Sequence, residues 1–168
     1  MLSAPNNSSL VTIAPATSAE EIAIARALFQ EYAVSISIDL CFQHFETELA
    51  TLPGAYAPPT GCLLLARINQ QTAGCIALRQ MNSGVAELKR LYVRPRFRKR
   101  GCGKALVEAA LSKARRIGYR TARLDTLREM HDAISLYRTF GFGEVPPYRA
   151  GEPEGICYFE MPLDPTSP

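Results

Sequence analysis

The stretch Arg94-Pro95-Arg96-Phe97-Arg98-Lys99-Arg100-Gly101-Cys102-Gly103-Lys104-Ala105-Leu106 runs from strand-like residues into a helical pattern, with two glycines where the helix would begin. A helix start carries backbone N–H groups without intrahelical partners and the positive end of its dipole, so such a turn suits a phosphate. Glycine lets the backbone come close to the anion, and the flanking cations add charge. Two familiar phosphate loops fail on their own residues. G-x-x-x-x-G-K-[ST] would need Gly where Arg98 stands and Ser or Thr where Ala105 stands; G-x-G-x-x-G would need Gly at Leu106. What remains is Arg98-x-x-Gly101-x-Gly103.

The elements that must hold this loop follow from periodicity. Residues 10–13 suit a short strand, and Ser18 ahead of Glu20-Glu21 marks a helix start. Ile22, Ala25, Phe29, Tyr32 and Ala33 then recur at helical spacing. A shorter helix is expected over 42–52, stopped by Pro53-Gly54. Three strand-like runs, 62–68, 72–81 and 85–93, read as an antiparallel meander. In the third, Ala86 and Leu88 share a face while Leu91 and Val93 fall on the opposite parity. One extra residue near Lys89-Arg90, a β-bulge, would restore the alternation. Beyond Pro95 a helix with an apolar face of Leu106, Ala109, Ala110, Ala114 and Ile117 stops at Gly118. A strand over 121–127 precedes a helix that carries Ala133, Leu136, Tyr137 and Phe140 and ends at Gly141. A last strand over 156–163 has a short partner near 142–145. This order predicts an α/β fold on a mixed sheet, one domain over 10–163 between a loose leader (1–9) and a loose tail (164–168).

Composition narrows the function. The 168 residues are 47% hydrophobic and 21% charged, which suits one packed domain and excludes a disordered chain. A net charge of +3 does not by itself call for nucleic acid. No apolar run approaches the roughly 20 residues of a membrane helix, and residues 1–9 lack a basic segment followed by an apolar one. A cytoplasmic protein without a membrane partner is therefore expected. Cysteines at 41, 62, 75, 102 and 157 form no C-x-x-C pair, so neither a metal centre nor a disulfide framework is expected.

The pattern Arg98-x-x-Gly101-x-Gly103 resembles the acyl-CoA pyrophosphate loop, [R/Q]-x-x-G-x-[G/A], of the GNAT superfamily of N-acetyltransferases. Leu91-Tyr92-Val93-Arg94-Pro95 is similar to the strand that leads into that loop. Ala133-Ile134-Ser135-Leu136-Tyr137-Arg138-Thr139-Phe140-Gly141-Phe142 is similar to the family's helix reading A-x-x-L-Y-x-x-x-G-F. The element order agrees over residues 10–163, and the runs 87–93 and 124–127 look like an uncharacterised bacterial branch.

The resemblance implies a central, mostly antiparallel sheet in which the bulged strand and its neighbour splay apart. Acetyl-CoA, with no metal, would lie in the gap. The backbone of Leu91, Tyr92 and Val93 would follow the pantetheine arm, and Arg98, Lys99, Arg100, Gly101, Cys102, Gly103 and Lys104 would wrap the pyrophosphate. Cys102 would serve through its N–H rather than its thiol. Transfer to an amine would be direct, with positioning supplying much of the acceleration. Tyr137 would protonate the departing thiolate, unless it is simply core. Glu87, read as an isolated acid on its strand, would be the base, with His131 a lesser alternative. Met130 stands where many members have Asn. The acceptor, a small-molecule or peptide amine, would meet Phe29, Tyr32, Phe42, Tyr148 and Tyr158, each equally readable as core, with Asp39 and Glu46 as amine anchors. The cluster of Lys89, Arg90, Arg94, Arg96, Arg98, Lys99, Arg100 and Lys104 lacks any nucleic-acid module around it, and the phosphates of CoA account for it. A homodimer through edge strands or the C-terminal region is compatible with the pattern. The alternative function is a non-catalytic CoA-binding sensor or interaction protein of the same fold.

Overall fold

The computed structural model describes residues 10–40 and 44–164. Among these, β1 (Val11–Pro15), α1 (Ala19–Ser35), α2 (Phe45–Thr51), β2 (Cys62–Ile68), β3 (Gln71–Asn82), β4 (Val85–Val93), α3 (Cys102–Ile117), β5 (Thr121–Leu127), α4 (His131–Phe140), β6 (Gly143–Val145) and β7 (Ile156–Pro162) follow in chain order. The strands form one sheet in the order β1-β2-β3-β4-β5-β7-β6. Every pairing is antiparallel except β4 with β5. A parallel pair needs a long crossover, which α3 provides.

The helix ends obey local chemistry. Ser18 caps α1 with a reciprocal capping box, its hydroxyl accepting from the Glu21 N–H while the Glu21 carboxylate accepts from the Ser18 N–H. Where a helix over 42–52 is expected, α2 spans Phe45–Thr51. Residues 42 and 43 lie outside the described residues, as do 1–9 and 165–168 of the expected leader and tail.

The sheet divides two cores. On one face, Leu64, Ile76, Leu88, Leu124 and Phe159 pack with Leu106, Val107 and Leu111 of α3 and with Ile134 and Tyr137 of α4. On the other, Leu63, Leu65 and Tyr92 pack with Leu28 and Phe29 of α1 and with Phe45 of α2.

The expected bulge is present. From Cys75 to Ala77, two steps of β3 face three steps of β4, from Tyr92 back to Lys89. Within the extra length Arg90 takes a left-handed φ of 59°, and Leu91 and Val93 rejoin the face of Ala86 and Leu88. Gly74 permits the close approach. A Cβ there would lie 2.3 Å from the Tyr92 carbonyl oxygen, so only a residue without one fits.

Candidate active site

β4 and β5 pair through Val85↔Thr121, Ala86↔Ala122 and Glu87↔Arg123 and no further, although β4 continues to Val93 and β5 to Leu127. The bulge bends and twists β4 just past the last pair, and the two strands open into a wedge. Along that opening, the β5-facing edge of β4 carries backbone groups without a strand partner. Such an edge can take an extended, amide-bearing chain as if it were another strand. The cavity in the wedge is lined by 88–91 of β4, 125–127 of β5, Tyr137 of α4, Met130, Tyr32 of α1 and Ile36 just past its end.

At one end of β4 lies the start of α3. Gly101 precedes it with a φ of 84°, a left-handed conformation that glycine adopts at no steric cost. The first bond of the helix runs from the Ala105 N–H to the Gly101 carbonyl at 3.0 Å. The N–H groups of Cys102, Gly103 and Lys104 therefore precede the ladder and remain available to an anion. Arg98 ties this turn to β4, its Nε donating to the Val93 carbonyl at 3.0 Å. Arg98, Lys99, Arg100 and Lys104 are exposed around it. These residues fit a phosphate-bearing group. Cys102 is only 1% exposed, and burial pushes its thiol up, which leaves the backbone as its contribution.

Tyr137 is buried, stacks edge-on against Phe142 at 5.9 Å and lines the cavity. Burial, with the neighbouring Tyr32 and Asp125, pushes its phenol far above the usual value, so it stays protonated and able to donate.

The expectation that Glu87 is an isolated acid facing cleft or solvent does not hold. Its side chain is 0% exposed. It binds Arg149 at 2.5 Å, Arg79 at 3.0 Å and Lys89 at 3.6 Å. Burial would raise its carboxyl, but the three cations outweigh burial and hold it below the usual carboxylate range. With 0% exposure and three cations around it, this carboxylate presents no open face to a substrate.

The network reaches further. Arg149 Nη1 also donates to Asp125 Oδ2 at 2.9 Å, and Lys89 Nζ stands 3.9 Å from Asp125 Oδ1. Arg90, the left-handed residue of the bulge, binds Glu48 of α2 at 2.8 Å and lies over the Phe45 ring at 5.0 Å. Lys89 and Arg90, read from sequence as part of the basic cluster that serves the phosphates, are instead each 5% exposed and committed to buried ion pairs. Burial lowers Lys89, against the pull of Asp125 and Glu87.

Of the expected acceptor residues, Tyr32 lines the cavity. Phe29 is 0% exposed and stacks on Tyr56 in the α1 core, which corrects its assignment. Tyr148 packs on Tyr158 at 4.8 Å and beneath Arg123, and the Tyr158 hydroxyl donates to Glu152. Neither tyrosine lines the cavity. Phe42 lies outside the described residues. Asp39, Glu46 and His131 are exposed and are not part of the cavity wall. Met130 is part of it, its sulfur accepting from the Thr126 hydroxyl at 3.7 Å.

Asp125, Lys89 and Arg149 were missed as site residues. A signal existed for one of them: Lys89 stands two residues from Glu87 on one strand, hence on one face, the spacing of an ion pair. Nothing local marks Arg149, which arrives from the segment between β6 and β7. Among the described residues no group of His, Cys, Asp and Glu is arranged to hold a metal, and no helix is long and apolar enough to cross a membrane.

The model of the acetyltransferase (GNAT) family matches residues 24–142. An uncharacterized N-acetyltransferase of Schizosaccharomyces pombe is 36% identical over 140 residues, 82% of this chain and 86% of that protein. An acetyltransferase of the GNAT family from Staphylococcus aureus superposes with a TM-score of 0.75 at 20% identity, over 92% of this chain and all of that one. A GNAT phosphinothricin acetyltransferase from Sinorhizobium meliloti, solved with acetyl-CoA, has a TM-score of 0.68 at 17% identity, over 91% of this chain and 88% of that one.

Proposed function

The chain belongs to the GNAT acetyltransferase family and is an acyl-CoA-dependent N-acetyltransferase; on that premise we propose that it moves an acetyl group from acetyl-CoA to a primary amine directly, with both substrates held in the β4–β5 wedge. The observation that carries this reading is the end of β4–β5 pairing at Glu87↔Arg123. It leaves an open strand edge that runs from Tyr137 on the cavity wall toward the free N–H groups at the start of α3.

The steps follow from the residues. Backbone groups of 91–93 take the amide-bearing arm, and 98–104 take the pyrophosphate through N–H groups, with exposed cations around them. This sets the thioester in the wedge beside Tyr137. The amine attacks the carbonyl carbon, the carbon–sulfur bond breaks, and the Tyr137 hydroxyl gives its proton to the sulfur. Burial suits Tyr137 to this task by keeping it neutral until the thiolate forms. Holding two reactants in line is worth several kcal/mol without further chemistry. Glu87, taken from sequence as the base, acts instead through its ion pairs, fixing Arg149 and Lys89 beside the cavity. The acceptor is a small-molecule or peptide amine rather than a nucleic acid, and the protein works in the cytoplasm as one domain over 10–163.

Calorimetric titration with acetyl-CoA, dephospho-CoA and NAD, followed by thiol release with a panel of amines, tests the reading. Micromolar binding of acetyl-CoA without NAD, and thiol release that depends on an amine, is the expected result. Binding without thiol release for any amine would favour the non-catalytic sensor, and no binding would remove the wedge as the acetyl-CoA site.

A further inference from the structure

An amine acceptor is an ammonium ion at neutral pH, and it must lose a proton before it can attack a thioester. With Glu87 sealed away, the carboxylate on the cavity wall is Asp125, the acidic residue among those that line it. It stands on β5 two residues past the last β4–β5 pair, on the strand facing Lys89 across the opening. Its side chain is 10% exposed against 0% for Glu87. Its two oxygens are held differently: Oδ2 accepts from Arg149 Nη1 at 2.9 Å, whereas Lys89 Nζ meets Oδ1 only at 3.9 Å, beyond hydrogen-bond length. Arg149 thus pins one oxygen and leaves the other with capacity for a donor from the cavity. Tyr137, the thiol's proton donor, lines the same cavity.

Resting on the transferase reading above, we propose that Asp125 is the catalytic residue that meets the acceptor's ammonium and removes its proton. The step balances. An N–H proton passes to Asp125 Oδ1 and the freed lone pair forms the bond to the carbonyl carbon. The carbon–sulfur bond breaks and the sulfur takes the Tyr137 proton. Asp125 then releases its proton to water, and the second proton that the newly bonded nitrogen loses restores the Tyr137 hydroxyl, so each ammonium acetylated yields one proton. Arg149 on Oδ2 and Lys89 near Oδ1 hold the carboxylate in place at the cavity wall. Other titratable groups around Asp125 are Tyr32 of α1, Tyr137 of α4, Tyr148 of the β6–β7 connection, and Cys157 and Tyr158 of β7, with Glu87 of β4 sharing Arg149 and Lys89.

The test compares two probe classes, alkylamines that are protonated at neutral pH and arylamines or hydroxylamine that are already neutral there. In Asp125→Asn, which keeps the shape and an acceptor for Arg149, kcat/KM for alkylamines should fall about 100-fold. For the neutral amines it should change only a few-fold, with acetyl-CoA affinity unchanged. Asp125→Glu should restore part of the alkylamine activity and covers the case in which the Asn variant folds poorly. Equal loss for both classes, or no loss for alkylamines, would overturn the assignment while leaving the transferase reading intact. Wild-type protein that releases thiol with none of these amines would overturn the transferase reading and this assignment with it.

Discussion

Glu87 and Arg123 are the last residues that join β4 to β5, and the side chain of Glu87 is fully buried where the opening begins. Three cations from three segments, Arg79 of β3, Lys89 of β4 and Arg149 of the β6–β7 connection, converge on its carboxylate. The place where the sheet comes apart is therefore also the place where it is most tightly bound by charge.

Removing that carboxylate should cost folding stability before it affects chemistry. Glu87→Gln takes the shared counter-ion from Arg79, Lys89 and Arg149, leaving Lys89 to Asp125 and Arg149 to Asp125 and Glu152, and breaking buried pairs of this kind destabilises by about 3–5 kcal/mol. Denaturant unfolding at neutral pH reads this directly; a change under 1 kcal/mol would mean that Arg79 and Arg149 find other partners.

The same residue sets a pH dependence. Its folded carboxyl lies below the ordinary range because Lys89, Arg149 and Arg79 outweigh burial. Its contribution is therefore complete above the unfolded value of about 4.3 and is lost as pH falls through the lower folded value. Stability of the wild type should drop more steeply than that of Glu87→Gln as the pH is lowered below about 4. Parallel curves would show that Glu87 is not ionised by these pairs.

Tyr137→Phe removes a hydroxyl and leaves the ring against Phe142. Turnover should fall about 100-fold while acetyl-CoA binding, measured by calorimetry, stays within a few-fold. Unchanged turnover would take the proton-donor role away from Tyr137.

Gly101 tests the phosphate turn by charge as well as shape. Open space surrounds the position, so a side chain meets no clash, but the φ of 84° disfavours most residues. Gly101→Asn, which tolerates that conformation and is neutral, should bind acetyl-CoA more weakly yet measurably; Gly101→Asp should abolish binding by adding negative charge where pyrophosphate sits. Equal affinities for the two would move the anion elsewhere.

Gly74→Ala should disrupt the bulge. The new Cβ would lie 2.3 Å from the backbone oxygen of Tyr92, and overpacking of this kind costs about 1–3 kcal/mol. The loss should appear in unfolding experiments together with weaker acetyl-CoA binding, because the opening of β4 from β5 depends on the same bend.

Much of this protein is legible along the chain, because what is local leaves local marks. Helix ends follow from Ser18, Gly118 and Gly141. The bulge follows from a parity break between Leu88 and Leu91, and the phosphate turn from Arg98-x-x-Gly101-x-Gly103. Residue type also chose Tyr137, through the pattern of its helix. What no local pattern decides is which charges meet. Glu87 reads as a lone acid until Arg79 and Arg149 arrive from positions 8 and 62 residues away. Lys89 and Arg90 read as surface cations until α2 and β5 bring Glu48 and Asp125 to them. Phe29 reads equally as core or pocket until Tyr56 covers it. Burial and Coulomb energy depend on distance in space, so the chemistry of the acids at this site was set by tertiary structure alone, on a scaffold whose elements the sequence had already specified.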